Sequence, residues 1–80
     1  MMQSKQIRAA RSLLGWNQSQ LSDASGVNVG TIKRMEKDDE GLQNAYNKNV
    51  TAVQSALEKA GIEFIPENGG GVGVRLKNPS

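Results

Sequence analysis

Glycine followed two residues later by asparagine occurs twice in quick succession, as Gly15-Trp16-Asn17 and Gly26-Val27-Asn28. This punctuation confines the first half of the chain to short helices. Glycine takes the positive-φ position past a helix C-terminus without steric cost, and asparagine is a strong N-cap for whatever helix follows. The spacing predicts a helix from Ser4 to Leu14 ended by Gly15, a second opened by Asn17 and closed by Gly26, and a third from Val29 to about Lys37 capped by Asn28. Ser4 is the expected N-cap of the first, with Ile7, Ala10, Leu13 and Leu14 as its apolar stripe. Gln20 stands three residues after Asn17, a capping-box arrangement, and Trp16 before the cap is read as a staple against Leu21 or the core.

Beyond Lys37 the pattern changes. Asp38 to Gln43 is polar, acidic and glycine-containing, and reads as a loop. The clearest periodic signal follows: Val50, Val53, Leu57 and Ala60 line one helix face, with Asn47 or Asn49 as cap and Gly61 as stop. Ile62–Ile65 and Val72–Leu76 then alternate apolar with polar or small residues on either side of a glycine-rich turn, which predicts a β-hairpin. A lone two-stranded hairpin is marginal in water, so it must pack on the helices or pair with another chain. The chain is thus read as a helical domain over residues 1–61, a hairpin extension over 62–77 and a frayed tail over 78–80.

Composition narrows the function. With no cysteine and no histidine, the chain lacks thiol nucleophiles, zinc-thiolate sites and the commonest general base and metal ligand. The run Gly69 to Gly73 lacks the lysine and helix that follow a phosphate-binding loop, and Asp38-Asp39-Glu40 lacks the spaced ligands of a calcium loop. Neither an enzyme, a metal nor a cofactor is expected. Without a long apolar run or a signal-like N-terminus, the expectation is a cytoplasmic protein with no membrane partner.

Charge is placed unevenly. Residues 1–37 carry Lys5, Arg8, Arg11, Lys33, Arg34 and Lys37 against Asp23 and Glu36, a local +4 in a chain whose net charge is +2. Asp38-Asp39-Glu40 then reverses the sign. The second and third helices, joined by Ser25-Gly26-Val27-Asn28, must cross steeply, with Leu21, Ala24, Val27, Ile32 and Met35 at their meeting point. That leaves Val29, Gly30, Lys33 and Arg34 on the exposed face of the third. A helix with a basic face and small N-terminal side chains fits a DNA major groove, about 12 Å wide. A solvated helical hairpin whose basic residues merely confer solubility accounts for the spacing equally well.

The segment LLGWNQSQLSDASGVNVGTIKRMEK resembles the helix-turn-helix of the phage repressor and Cro family, the XRE-type regulators. The matching features are the LG-x-NQ-x-x-L opening, the A-x-G-V turn and the T-I-x-x-x-E ending. The likeness covers roughly residues 5 to 60, and the tail with GIEF and GGG is similar to small stand-alone bacterial members. The resemblance implies a mainly α, lambda-repressor-like bundle of four short helices containing a helix-turn-helix, plus a C-terminal β-hairpin. It implies a sequence-specific double-stranded DNA-binding transcriptional regulator that inserts the helix 29–37 into the major groove; with no separate effector or activation domain expected in these 80 residues, repression is the expected mode.

Residue by residue, the resemblance puts Asn17 and Gln18 at a helix start near a phosphate, where amides position the protein without reading sequence; Asn17 serves equally as a plain N-cap. It turns Asn28, Val29, Gly30 and Thr31 towards base edges. Arg34 is the expected direct reader, since arginine pairs bidentately with guanine O6 and N7, and Lys33 the expected phosphate contact. Arg11 on the first helix and Glu36 ending the third match a structural ion pair of the family. Two departures stand out: Asp38-Asp39-Glu40 occupies a place where relatives are basic or proline-rich, and Gly30 offers no side chain for readout. Either the acidic segment turns away from DNA or binding is weak, with Asn44, Tyr46, Asn47 and Lys48 as replacement phosphate contacts; Tyr46 serves equally as a core-edge aromatic. The hairpin edge is expected to pair with that of a second chain, giving a homodimer. The alternative function is an antitoxin or other protein-interaction module that neutralises a protein partner, with DNA binding secondary.

Overall fold

The computed structural model describes residues 2–78. The described chain is mainly helical: α1 (Ser4–Leu14), α2 (Gln18–Ser25), α3 (Val29–Lys37), α4 (Asp39–Gln43) and α5 (Asn47–Lys59) precede a hairpin of β1 (Ile62–Ile65) and β2 (Gly73–Leu76). Of the expected frayed tail 78–80, Asn78 is exposed, and Pro79 and Ser80 lie outside the described residues. No described helix is long and apolar enough to cross a membrane.

The glycine–asparagine punctuation works at both places. Gly15 and Gly26 take left-handed φ of 69° and 73°. Asn17 Oδ1 accepts the Gln20 amide at 2.8 Å while Gln20 Oε1 accepts the Asn17 amide at 2.8 Å, and Asn28 Oδ1 accepts the Gly30 amide at 2.7 Å. Ser4 is not a cap. Gln3 holds that position, its amide donating to Gln6 Oε1 at 2.7 Å, and the Ser4 amide, one of the unpaired donors of the first turn, goes to Asp39 Oδ1 at 2.8 Å.

Ile7, Ala10, Leu21, Val27, Ile32, Met35, Leu42, Val53, Leu57 and Ile62 form the core, with Leu14, Trp16, Phe64, Val74 and Leu76 packed against it. Two expected core residues lie outside. Leu13 is 44% exposed and Ala24 is exposed. Both fail for one reason: at about 100° per residue, the stripe from Ala10 continues at Leu14 and that from Leu21 at the half-buried Ser25, so the i+3 positions rotate towards solvent.

Two further expectations are corrected. The stretch from Asp38 is a helix, not a loop: Asp38 Oδ1 accepts the Gly41 amide at 2.7 Å, and Leu42 reaches the core. Among the described residues the bundle therefore has five helices. Neither Asn47 nor Asn49 caps α5; Tyr46 occupies the N-cap and makes no side-chain cap bond. The hairpin is antiparallel, pairing Ile62 with Leu76, Glu63 with Arg75, Phe64 with Val74 and Ile65 with Gly73, so its second strand starts one residue later than expected. Ile62, Phe64, Val74 and Leu76 share the face that meets the core, while Glu63 and Arg75 pair on the other at 2.8 Å. β2 lies against α1 and β1 against α5, and Gln6 Nε2 donates to the Gly73 carbonyl at 2.9 Å.

Candidate nucleic-acid interface

Behind the candidate face lies a carboxylate kept from water. Glu36, on the last turn of α3, is 3% exposed, and burial of a charge costs heavily unless it is paired and hydrogen-bonded. Here it is both. Arg11 of α1 grips it with both fork positions, Nε to Oε2 at 2.7 Å and Nη2 to Oε1 at 2.8 Å, and Gln18 of α2 donates Nε2 to Oε1 at 3.1 Å. The third nitrogen of Arg11 donates to the Trp16 carbonyl at 3.0 Å, and Arg8 Nη1 donates to the Glu36 carbonyl oxygen. The Glu36 hydrogen bonds raise the Arg11 pKa, against an opposing effect of burial. Three helices thereby meet on one side chain, and α3 is fixed in rotation relative to α1 and α2. Sequence reasoning omitted Arg8 from this group, although its place one turn before Arg11 on the same helix was the available signal.

With Ile32, Met35 and Glu36 facing inward, the opposite side of α3 is left to solvent. Asn28, Lys33 and Arg34 are exposed there, and Val29, Gly30 and Thr31 half-buried. Arg34 folds back along the helix, Nη2 donating to Thr31 Oγ1 at 3.2 Å. The absent side chain of Gly30 keeps this surface open: a Cβ would stand 3.0 Å from Asn28 Oδ1 and 3.8 Å from Arg34 Nη1. The structure thus gathers Asn28, Val29, Gly30, Thr31, Lys33 and Arg34 on one surface. Asn17 is exposed at the start of α2, while Gln18 has turned towards Glu36 and is shared with the ion pair.

Beside Arg34 and Thr31 opens a cleft of about 430 Å³ between α3, α4 and the start of α5, with Lys37, Asn44, Tyr46 and Asn49 on its walls. Tyr46 is 75% exposed and so is not a core aromatic; Asn47 and Lys48 are exposed just beyond. The acidic residues have separate fates. Asp39 points away to α1, where the Ser4 amide holds its carboxyl below the ordinary value, the Ser4 hydroxyl, Lys5 and Arg8 adding to the effect. Asp38 caps α4, and Glu40 lines the cleft. Among the described residues no group of acidic side chains is arranged to hold a metal ion.

No protein-family model and no curated protein matches the chain.

Proposed function

We propose that the chain is a sequence-specific double-stranded DNA-binding regulator of the XRE type, a cytoplasmic repressor in which α2, the Gly26 turn and α3 act as a helix-turn-helix. One observation carries this reading. The inward side of α3 is fixed by three side chains converging on Glu36, while its outward side presents Asn28, Thr31, Lys33 and Arg34, with the half-buried Val29 and Gly30 beside them. A surface that reads base edges must hold its side chains to within fractions of an ångström, and a helix so fastened meets that need.

In this reading α3 enters the major groove with its first turn, Arg34 pairs with a guanine, and Val29 packs a thymine methyl. Lys33, Asn17 and the residues around the cleft, Asn44, Tyr46 and Lys48, contact the sugar-phosphate backbone, which positions the protein without specifying sequence. The hairpin already packs its apolar face against its own helices, so a homodimer would form through a free strand edge.

Selection of bound duplexes from a random library at a stated, near-physiological salt concentration tests the proposal. The expected result is a palindrome with half-sites about 10 base pairs apart, or a multiple of one helical turn. Retention that is only weak, salt-sensitive and without sequence enrichment would leave non-specific electrostatics and shift the search to a protein partner.

A further inference from the structure

Helix α4 carries a glycine at a place where the fold has no room for a side chain. A Cβ on Gly41 would lie closer than 3.0 Å to the backbone carbonyl oxygen of Arg34, nearer than such atoms come, and the obstacle is main chain that cannot swing aside. Gly41 is not among the positive-φ glycines, so the position demands space rather than conformational freedom. Inside a helix glycine is otherwise a poor choice.

The surroundings determine what would yield. α4 is closed by its own cap, Asp38 Oδ1 taking the Gly41 amide at 2.7 Å, and is held to the rest of the molecule at two points: Asp39 Oδ1 takes the Ser4 amide at 2.8 Å, and Leu42 is buried in the core. On its other side the last turn of α3 is gripped by Arg8 and Arg11. This turn is thus lodged between two arginines of α1 and the bare α-carbon of Gly41, and Arg34 stands on it.

We infer that α4 is a backstop for the end of α3, and that Gly41 is a positioning residue that sets where Arg34 reaches. The inference rests on the DNA-binding reading above and deepens it. It also gives the acidic segment a purpose. Asp38 and Asp39 tie α4 to itself and to α1, and that tie keeps the backstop in place.

The test compares site selection by the wild type, Gly41→Ala and Val53→Ala. Val53→Ala removes buried volume from α5 and leaves α4 unchanged. We expect Gly41→Ala to retain its helical circular dichroism and to lose about tenfold in preference at the base pair that Arg34→Ala relaxes, while other positions of the site and the Val53→Ala profile stay as in wild type. Preference retained within about twofold by folded Gly41→Ala, or lost equally by Val53→Ala, overturns the inference. Should Gly41→Ala not fold, Asp38→Ala and Asp38→Asn replace it: both remove the charge, but only asparagine keeps the cap. Loss of the preference in the alanine variant alone supports the backstop, and retention in both overturns it. A wild type that enriches no sequence rejects the DNA reading and the inference with it, an outcome distinct from a selective wild type with an equally selective Gly41→Ala.

Discussion

Arg34 and Lys33 are adjacent, both exposed, and in the proposed complex do different work. Arg34 has a rigid fork preset by Thr31 at 3.2 Å, whereas Lys33 is a mobile point charge. Replacing Arg34 with alanine should cost about 1–3 kcal/mol of binding and relax selectivity at one base pair; Lys33→Ala should weaken all sequences alike and lower the salt-dependence slope by about 1. Fluorescence-anisotropy titrations against a selected site and its single-base variants, repeated at several salt concentrations, separate the two. Equal effects of both substitutions on every sequence would remove Arg34 as the reader. Asp39 allows a prediction about stability. Its carboxyl titrates below the ordinary 3.8 in the folded chain, so the native state binds the proton less readily than the unfolded state. The contribution is fully present above the unfolded value, is lost as pH falls from there through the lowered folded value, and is gone below it. The urea midpoint of wild type should therefore fall more than that of Asp39→Asn between about pH 5 and about pH 2, since the amide keeps an acceptor for Ser4 but does not titrate there. Parallel curves would mean that the Ser4 contact has no weight.

Among the elements, the bond network on Glu36 is what converts separate short helices into a unit, since α2 itself buries only Leu21. Glu36→Gln retains the shape but leaves Arg11 without its counter-charge. The expected loss is about 2–3 kcal/mol in urea unfolding, less than for a fully buried pair because the Arg11 side chain is 20% exposed. A loss within about 0.5 kcal/mol of zero would mark the pair as dispensable. How far these elements were legible in the sequence follows from the kind of signal each one had. The caps at Asn17 and Asn28 and the stops at Gly15 and Gly26 are local chemistry, and the first three helix ranges could be read from them. Leu13 and Ala24 were misplaced because periodicity gives a stripe of some width, and only packing decides whether its i+3 or its i+4 edge is covered. Helix α4 was missed because five residues with two carboxylates and a glycine carry no apolar period. Its reasons are tertiary: the Ser4 amide that Asp39 satisfies and the Arg34 carbonyl that Gly41 must clear. Ser4 reads as a cap because the partner of its amide, Asp39, stands 35 residues away in sequence. On the candidate face, Arg11 and Glu36 were brought to attention by the resemblance, but Arg8 and the turning of Gln18 towards Glu36 depend on how three helices meet.

At the level of the whole molecule, affinity is the difficulty that a second copy would resolve. A net charge of +2 gives little non-specific attraction to a polyanion, Gly30 contributes no side chain to readout, and Glu40 stands in the cleft beside Arg34. One α3 therefore has few contacts with which to offset the cost of association. Two copies related by a two-fold axis double the contacts and need no new kind of surface. The hairpin lies against α1 and α5 rather than α3, so pairing through a strand edge would leave the outward side of α3 free in both copies. The edge is suited to this: in an antiparallel pair the residues that do not bond their partner strand turn their amides and carbonyls outward. Lys77 donates to the Gly61 carbonyl at 2.7 Å, which makes Ile62, Phe64, Val74 and Leu76 the residues of that kind. The prediction is a complex of two chains on one selected duplex in sedimentation velocity, with half-sites about 10 base pairs apart. Moving one half-site by about 5 base pairs puts it on the opposite face of the duplex and should reduce binding to that of a single half-site. Binding that ignores the spacing, or one chain per selected site at every concentration, would mean that the hairpin serves only its own helices.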